Sequence, residues 1–87
     1  MISLVIPAFN EEACLGKSLE QLSEFLKTHL ESFEIIVVDD GSTDATVEIA
    51  QGFSKKLPNF RVVSLPINRG KGAAVNRGFK ESQGEVV

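Results

Sequence analysis

Three short apolar runs, each cut off by a polar cluster, leave this chain few ways to fold. They are Ile2–Ile6, Glu34–Val38 and Phe60–Leu65. Nearly continuous, largely β-branched runs of this length suit strands covered on both faces. Pro7 ends the first, Asp39-Asp40-Gly41-Ser42 the second and Pro66 the third. Between the first two runs, Leu15, Leu19, Leu22, Leu26 and Leu30 recur at steps of three and four. That spacing makes one apolar stripe of an amphipathic helix. Asn10 is placed to cap it, with Glu11 and Glu12 in the first turn, where the helix dipole favours acids.

Ser42 or Thr43 is expected to cap a second helix, with Asp44 in its first turn and Val47, Ala50 and Phe53 facing one way. Pro58-Asn59 breaks that pattern. Asn68–Gly72 reads as a loop, and Ala73–Ser82 as a short third helix closed by Gly84. Glu85-Val86-Val87 begins a fourth strand. The order is β-α-β-α-β-α-β, and alternation with short links predicts parallel strands and right-handed crossovers. The fold class is α/β.

The chain has 87 residues, 43% hydrophobic and 24% charged. A chain of this size is one domain at most, smaller than the usual ~100–200 residues. The balance excludes disorder, which needs low hydrophobicity and high net charge. No apolar run approaches the ~18 residues of a membrane span. Met1 leads straight into the first strand, with no basic leader, so no signal peptide is expected. The last residues stop two apolar positions into a strand that needs neighbours, so a longer protein is expected.

Net charge is −3, unevenly spread: residues 1–48 carry −8 and residues 49–87 carry +5. Two readings of the basic half stand level: a solvated face, and a positive wall beside a phosphate-bearing ligand. Nucleic acid is not expected, because the chain is acidic overall and its basic segment offers only Phe60 and Phe79 for stacking. Cys14 is the single cysteine. It cannot form an internal disulfide or, with only His29 for company, found a zinc site; His29 lies about four helical turns away, which argues against a Cys/His catalytic pair, so Cys14 is read as buried or half-buried filler. His29 reads as a surface residue near a helix C-terminus.

In open α/β sheets, ligands bind outside the carboxyl ends of the strands. Three polar clusters fall there: residues 7–12, 39–44 and 68–72. Side chains alternate along a strand, so one of Asp39 and Asp40 can face that rim while the other ties down the turn. A rim carboxylate accepts hydrogen bonds from a base N–H or sugar hydroxyls. Turn chemistry alone explains Asp-Gly-Ser equally well. Gly70-Lys71-Gly72 fails the dinucleotide pattern G-x-G-x-x-G, since Val75 stands where glycine is required. There is no phosphate-binding G-x-x-x-x-G-K-[ST]. The loop is read either as bringing Lys71 and backbone N–H groups towards phosphate or as a surface loop with a solvated lysine, the two standing about level.

Residues 3–12, 34–44 and 68–78 together resemble the three opening signatures of family 2 glycosyltransferases of the GT-A fold, in the family order and spacing. The pattern is most similar to the dolichyl- and polyprenyl-phosphate glucosyl- and mannosyltransferases. This resemblance implies that residues 1–87 form the N-terminal, Rossmann-like nucleotide-sugar-binding part of an incomplete GT-A domain. It implies a UDP-sugar or GDP-sugar donor and a lipid phosphate acceptor. Pro7, Phe9 and Glu11 would contact base and ribose. Asp39 and Asp40 would belong to the same site, Asp40 accepting the base N–H, and Lys71 would lie near the base or diphosphate. Mg²⁺ or Mn²⁺ is expected in the full-length enzyme, held by an Asp-x-Asp beyond Val87, and any catalytic base would also follow, so no metal ligand is expected in this chain and no catalytic residue is named. A cytoplasmic location at a membrane surface, attached through missing parts, is implied too. Alternatives are a non-catalytic nucleotide-binding fragment and a family 2 enzyme acting on a saccharide acceptor.

Overall fold

The computed structural model describes residues 2–29, 32–57, 59–68, 70–82 and 85–86. The strands are β1 (Ile2–Ala8), β2 (Phe33–Asp40), β3 (Phe60–Leu65) and β4 (Glu85–Val86), and the helices are α1 (Leu15–His29), α2 (Thr46–Lys56) and α3 (Lys71–Glu81). They alternate as expected. All strand pairs are parallel, in the order β3-β2-β1-β4. β1 and β2 pair over seven residues, from Ile2 beside Phe33 to Ala8 beside Asp39.

Alternation along the strands sorts the core into two layers. On one face, Ile35, Val37, Ala8 and Phe60 pack with Leu15, Leu19 and Leu26 of α1 and Ala50 of α2. On the other, Ile36, Val38 and Leu65 pack with Ala74 of α3. β2 is the central strand, and Ile35–Val38 are fully buried. Of the leucine stripe, Leu15, Leu19 and Leu26 are buried and Leu22 packs against them, while Leu30 lies outside the described residues.

Several element ends differ from the sequence reading. Pro7 stands inside β1, not beyond it. Asp39 and Asp40 belong to β2. Asn10 does not cap α1, which starts at Leu15. Glu11 and Glu12 precede the helix, with the Leu15 N–H donating to the Glu11 carbonyl at 2.8 Å. α2 has Ala45 at its N-cap with no side-chain cap, so Asp44 precedes the helix instead of sitting in its first turn. Lys71 and Gly72 belong to α3, and Ser82, in extended conformation, ends it. Gly84 lies outside the described residues. Cys14 is exposed, not filler, because it falls in the turn before α1 and off the leucine stripe.

At the amino ends of the strands a buried polar network joins sheet to helix. The Ser3 hydroxyl donates to Glu34 at 2.5 Å, and the Arg61 guanidinium pairs with Glu34 at 3.0 Å. Arg61 also donates to the Glu81 carbonyl at the end of α3. Glu34 is thereby buried with its charge compensated, the condition under which a carboxylate is tolerated inside a protein.

α3 lies close to the sheet because Gly78 has no side chain. A Cβ there would stand 2.2 Å from Val5 Cγ1 and 3.2 Å from Val38 Cγ2. Overpacking of this kind costs about 1–3 kcal/mol. Alanine's better helix propensity, worth roughly 1 kcal/mol, offsets part of that. Gly78→Ala is therefore expected to lower the urea midpoint with an unchanged slope, whereas Gly72→Ala, with open space around its Cβ, should not.

Candidate nucleotide-binding site

The carboxyl ends of β1, β2 and β3 open onto a cleft of about 460 Å³, lined by Pro7, Ala8, Phe9, Glu11, Asp40, Asn68 and Gly70. That volume falls within the ~300–1,000 Å³ typical of small-molecule sites. All three rim clusters contribute, so Pro7, Phe9, Glu11 and Asp40 are brought together. Asp39 is not in the lining. Lys71 opens α3, and its side chain lies outside the described residues. The His29 side chain also lies outside them.

The two aspartates divide as strand alternation requires. Asp39 lies on the α1–α2 side, where its Oδ2 accepts the Ser42 N–H at 3.0 Å and ties the turn. Its Oδ1 is buried without a hydrogen-bond partner among the described residues. Asp40 lies on the α3 side. Its Oδ2 accepts the Gly70 N–H at 2.9 Å, bringing the N-terminus of α3 to the rim. The Gly70 N–H is therefore committed to Asp40 and is not among the loop amides offered to a ligand. Gly70 has φ +94°, a conformation glycine adopts without cost.

Gly41 turns the chain after β2 at φ +74°, and the β3–α3 loop crosses directly over it. A Cβ on Gly41 would meet the Asn68 nitrogen at 2.5 Å. The missing side chain is what lets Asn68 reach the cleft.

The β1–α1 and β2–α2 loops are laced together. Asn10 has φ +49°, the left-handed region that asparagine tolerates. Its N–H donates to Ser42 Oγ, and its Oδ1 accepts the Thr43 N–H, both at 2.9 Å. The Glu11 N–H donates to Thr46 Oγ1 at 2.8 Å. The Glu12 N–H donates to Asp44 Oδ2, and Glu12 Oε2 accepts the Ala45 N–H, each at 3.2 Å. These bonds leave Glu11 with a fixed backbone, while its carboxylate makes no hydrogen bond among the described residues.

Asn68 and Gly70 were read only as part of the rim cluster 68–72 and not singled out as lining residues, and the lacing was not legible. The position of Asn68 just past a strand's carboxyl end was the available signal. The buried Thr46 carried none. Part of the expected positive wall is engaged elsewhere: Arg61 pairs with Glu34, and Arg77 pairs with Glu81 at 3.6 Å. Among the described residues, no group of three or more His, Cys, Asp or Glu side chains is placed to hold a metal ion. No helix among them is long and apolar enough to cross a membrane.

Residues 3–87 match the family model described as glycosyl transferase family 2. The chain belongs to this family. It is 41% identical over 91 residues to the dolichyl-phosphate beta-glucosyltransferase ALG5A of Trichomonas vaginalis, covering 99% of this chain and 28% of the relative. It is 43% identical over 90 residues to the dolichyl-phosphate beta-glucosyltransferase of Drosophila melanogaster, covering 95% and 28%. The chain thus spans just over a quarter of these relatives' length. Among solved structures, mannosyltransferase PcManGT from Pyrobaculum calidifontis, in complex with GDP-Man and Mn²⁺, superposes with a TM-score of 0.86 at 26% identity, covering 98% of this chain and 25% of that one. S. aureus TarS 1-349 in complex with UDP-GlcNAc gives 0.82 at 37% identity, covering 99% and 25%. The α/β fold expected from the sequence is that of GT-A glycosyltransferases.

Asp44 links the lacing to pH. The Thr46 hydroxyl donates to its Oδ1, as does the Thr46 N–H at 2.9 Å. Chiefly through the hydroxyl bond, its carboxyl is held below the ordinary aspartate value, against a smaller opposing effect of burial. The folded pKa is thus below the unfolded one of about 3.9, so the stabilisation is complete above that value and lost as pH falls through the lower, folded one. Stability of the wild-type chain is expected to fall more steeply from pH 5 to pH 2 than that of Asp44→Asn, measured by denaturant titration at each pH.

Proposed function

We propose that this chain is the donor-binding part of a family 2 glycosyltransferase that passes a sugar from a UDP- or GDP-sugar to a polyprenyl phosphate of dolichyl type, with inversion. The carrying observation is the cleft, where Glu11 and Asp40 meet beside Phe9 and Asn68. Two carboxylates favour the part of a nucleotide sugar that is rich in donors and poor in charge, namely the nucleoside. Phe9, 43% exposed at the rim, supplies an apolar surface for a base. Glu11 is suited to the ribose hydroxyls. A carboxylate accepts about four hydrogen bonds, so the Gly70 contact does not by itself use up Asp40, which we assign to a base N–H. Uracil and guanine both present one.

Pro7 and Ala8 form the floor. Asp39 acts indirectly, by fixing the turn that follows Asp40. Lys71 enters α3 one residue after Gly70 and remains assigned to the base or diphosphate by position alone. The diphosphate leaves as the bond from its oxygen to the anomeric carbon breaks and an acceptor phosphate oxygen bonds to the opposite face of that carbon. A polyprenyl phosphate is already anionic and needs little help from a base. The names of the curated relatives support this acceptor; a whole enzyme that uses it would work at a membrane surface, and we assign it to the cytoplasmic side. A divalent metal belongs to the whole-enzyme reading, but the described carboxylates make no ligand set for it. The chemistry assigned to this chain is therefore recognition and orientation of the donor.

Asp40→Ala is expected to weaken UDP or GDP binding by about 1.5–3 kcal/mol, the worth of a hydrogen bond to a charged group. Asp40→Asn keeps an acceptor for Gly70 and separates that anchor from ligand recognition. Isothermal calorimetry decides: unchanged affinity in both variants removes Asp40 from the site. Transfer to a saccharide but not to dolichyl phosphate, by the full-length enzyme, would overturn the acceptor assignment alone.

A further inference from the structure

Asn10 stands between two cleft residues, Phe9 and Glu11, yet does not line the cleft itself. Its side chain turns instead to the β2–α2 loop, where Oδ1 accepts the Thr43 N–H, while its backbone N–H is held by Ser42. Ser42 is fixed in turn by Asp39, the buried neighbour of Asp40. A chain of bonds therefore runs from the end of β2 to the segment that carries Phe9 and Glu11. Among the described residues, Asn10 is the one non-glycine with positive φ. Such a conformation in a non-glycine residue persists where surrounding contacts hold it.

We infer that Asn10 is a positioning residue for the nucleoside: by clasping the β2–α2 loop it sets where Phe9 and Glu11 stand relative to Asp40. This rests on the nucleotide reading above. Both carboxylates must meet donors on one rigid ligand, so their separation has to be held before binding. Asn10 supplies the tie through two properties found together in few side chains, tolerance of left-handed backbone and a short carbonyl acceptor. Serine cannot replace it without strain, and glycine keeps the turn but loses the acceptor.

Two variants of the full chain separate these properties. Asn10→Gly keeps the backbone conformation and removes Oδ1. Asn10→Asp keeps the acceptor oxygen and removes the amide N–H group. UDP and GDP affinities are read by calorimetry, and exchange of the Glu11 amide, which bonds to Thr46 and not to Asn10, is read by hydrogen–deuterium NMR. Asn10→Gly is expected to weaken nucleotide binding about tenfold, equivalent to ~1.4 kcal/mol, and to speed Glu11 exchange. Asn10→Asp is expected to stay within about threefold of wild type on both readouts, as the retained hydrogen bond implies. A loss confined to packing would lower the melting temperature and leave the affinity of the folded chain alone. Wild-type affinity in Asn10→Gly overturns the inference. So does equal weakening in both variants with Glu11 exchange unchanged, which would make the amide a direct ligand contact. If wild type binds neither nucleotide, the nucleotide reading falls by itself. Glu11 exchange still decides then: faster exchange in Asn10→Gly upholds the clasp, and unchanged exchange removes it.

Discussion

The parallel pairing of β1 with β2 is the constraint on which the rest depends. It places Ala8 beside Asp39, so the two strands end at one height. The loops that follow are forced to share a rim, and each finds its hydrogen-bond partners in the other. A slip of one residue would turn Asp39 and Asp40 to the opposite layers, since side chains alternate with a period of two. The fully buried Ile35–Val38 segment resists that slip, because both of its faces are already packed. Core packing and site geometry are thus one problem, settled by one register.

Polar residues near the cleft fall into two groups. Glu11 and Asp40 line the cavity, and Asp40 also holds the Gly70 N–H. Asn10, Glu12, Asp39, Ser42, Thr43, Asp44 and Thr46 are occupied with one another. Backbone N–H groups that water would otherwise serve are taken by side chains from the neighbouring loop, which satisfies them without regular structure. The signatures of the sequence are mostly scaffolding by this account, with a few cavity-lining side chains set into them. Family membership gives the scaffold a purpose consistent with the cavity.

Periodicity made the three long strands and the helices legible, because burial on a repeating face leaves a pattern in the chain itself. β3 was read with its observed bounds. The errors cluster at element ends, and each has a tertiary cause. Asn10 looked like a helix cap because asparagine is a good one, but its acceptor is taken by a loop 33 residues away. Asp39 and Asp40 were read as ending the second strand, but the ladder reaches both, Asp39 beside Ala8 of β1 and Asp40 beside Leu65 of β3. Gly70 was grouped with a phosphate loop, whereas its amide answers to Asp40. That a cleft would sit at the strands' carboxyl ends was readable from fold logic alone. Which side chain faces the cavity and which props its neighbour was not, because that choice depends on pairs far apart in sequence.

The crossing of the β3–α3 loop over Gly41 bears on how such a protein can be re-engineered. Any side chain at Gly41 displaces backbone around Ile67 and Asn68 before it can influence a ligand. A library aimed at changed donor preference would therefore spend its variants at Gly41 on loop damage. Phe9 and Asn68 border the same cavity, and both are exposed. Diversity placed at these two positions alters the cavity wall while leaving the crossing point intact.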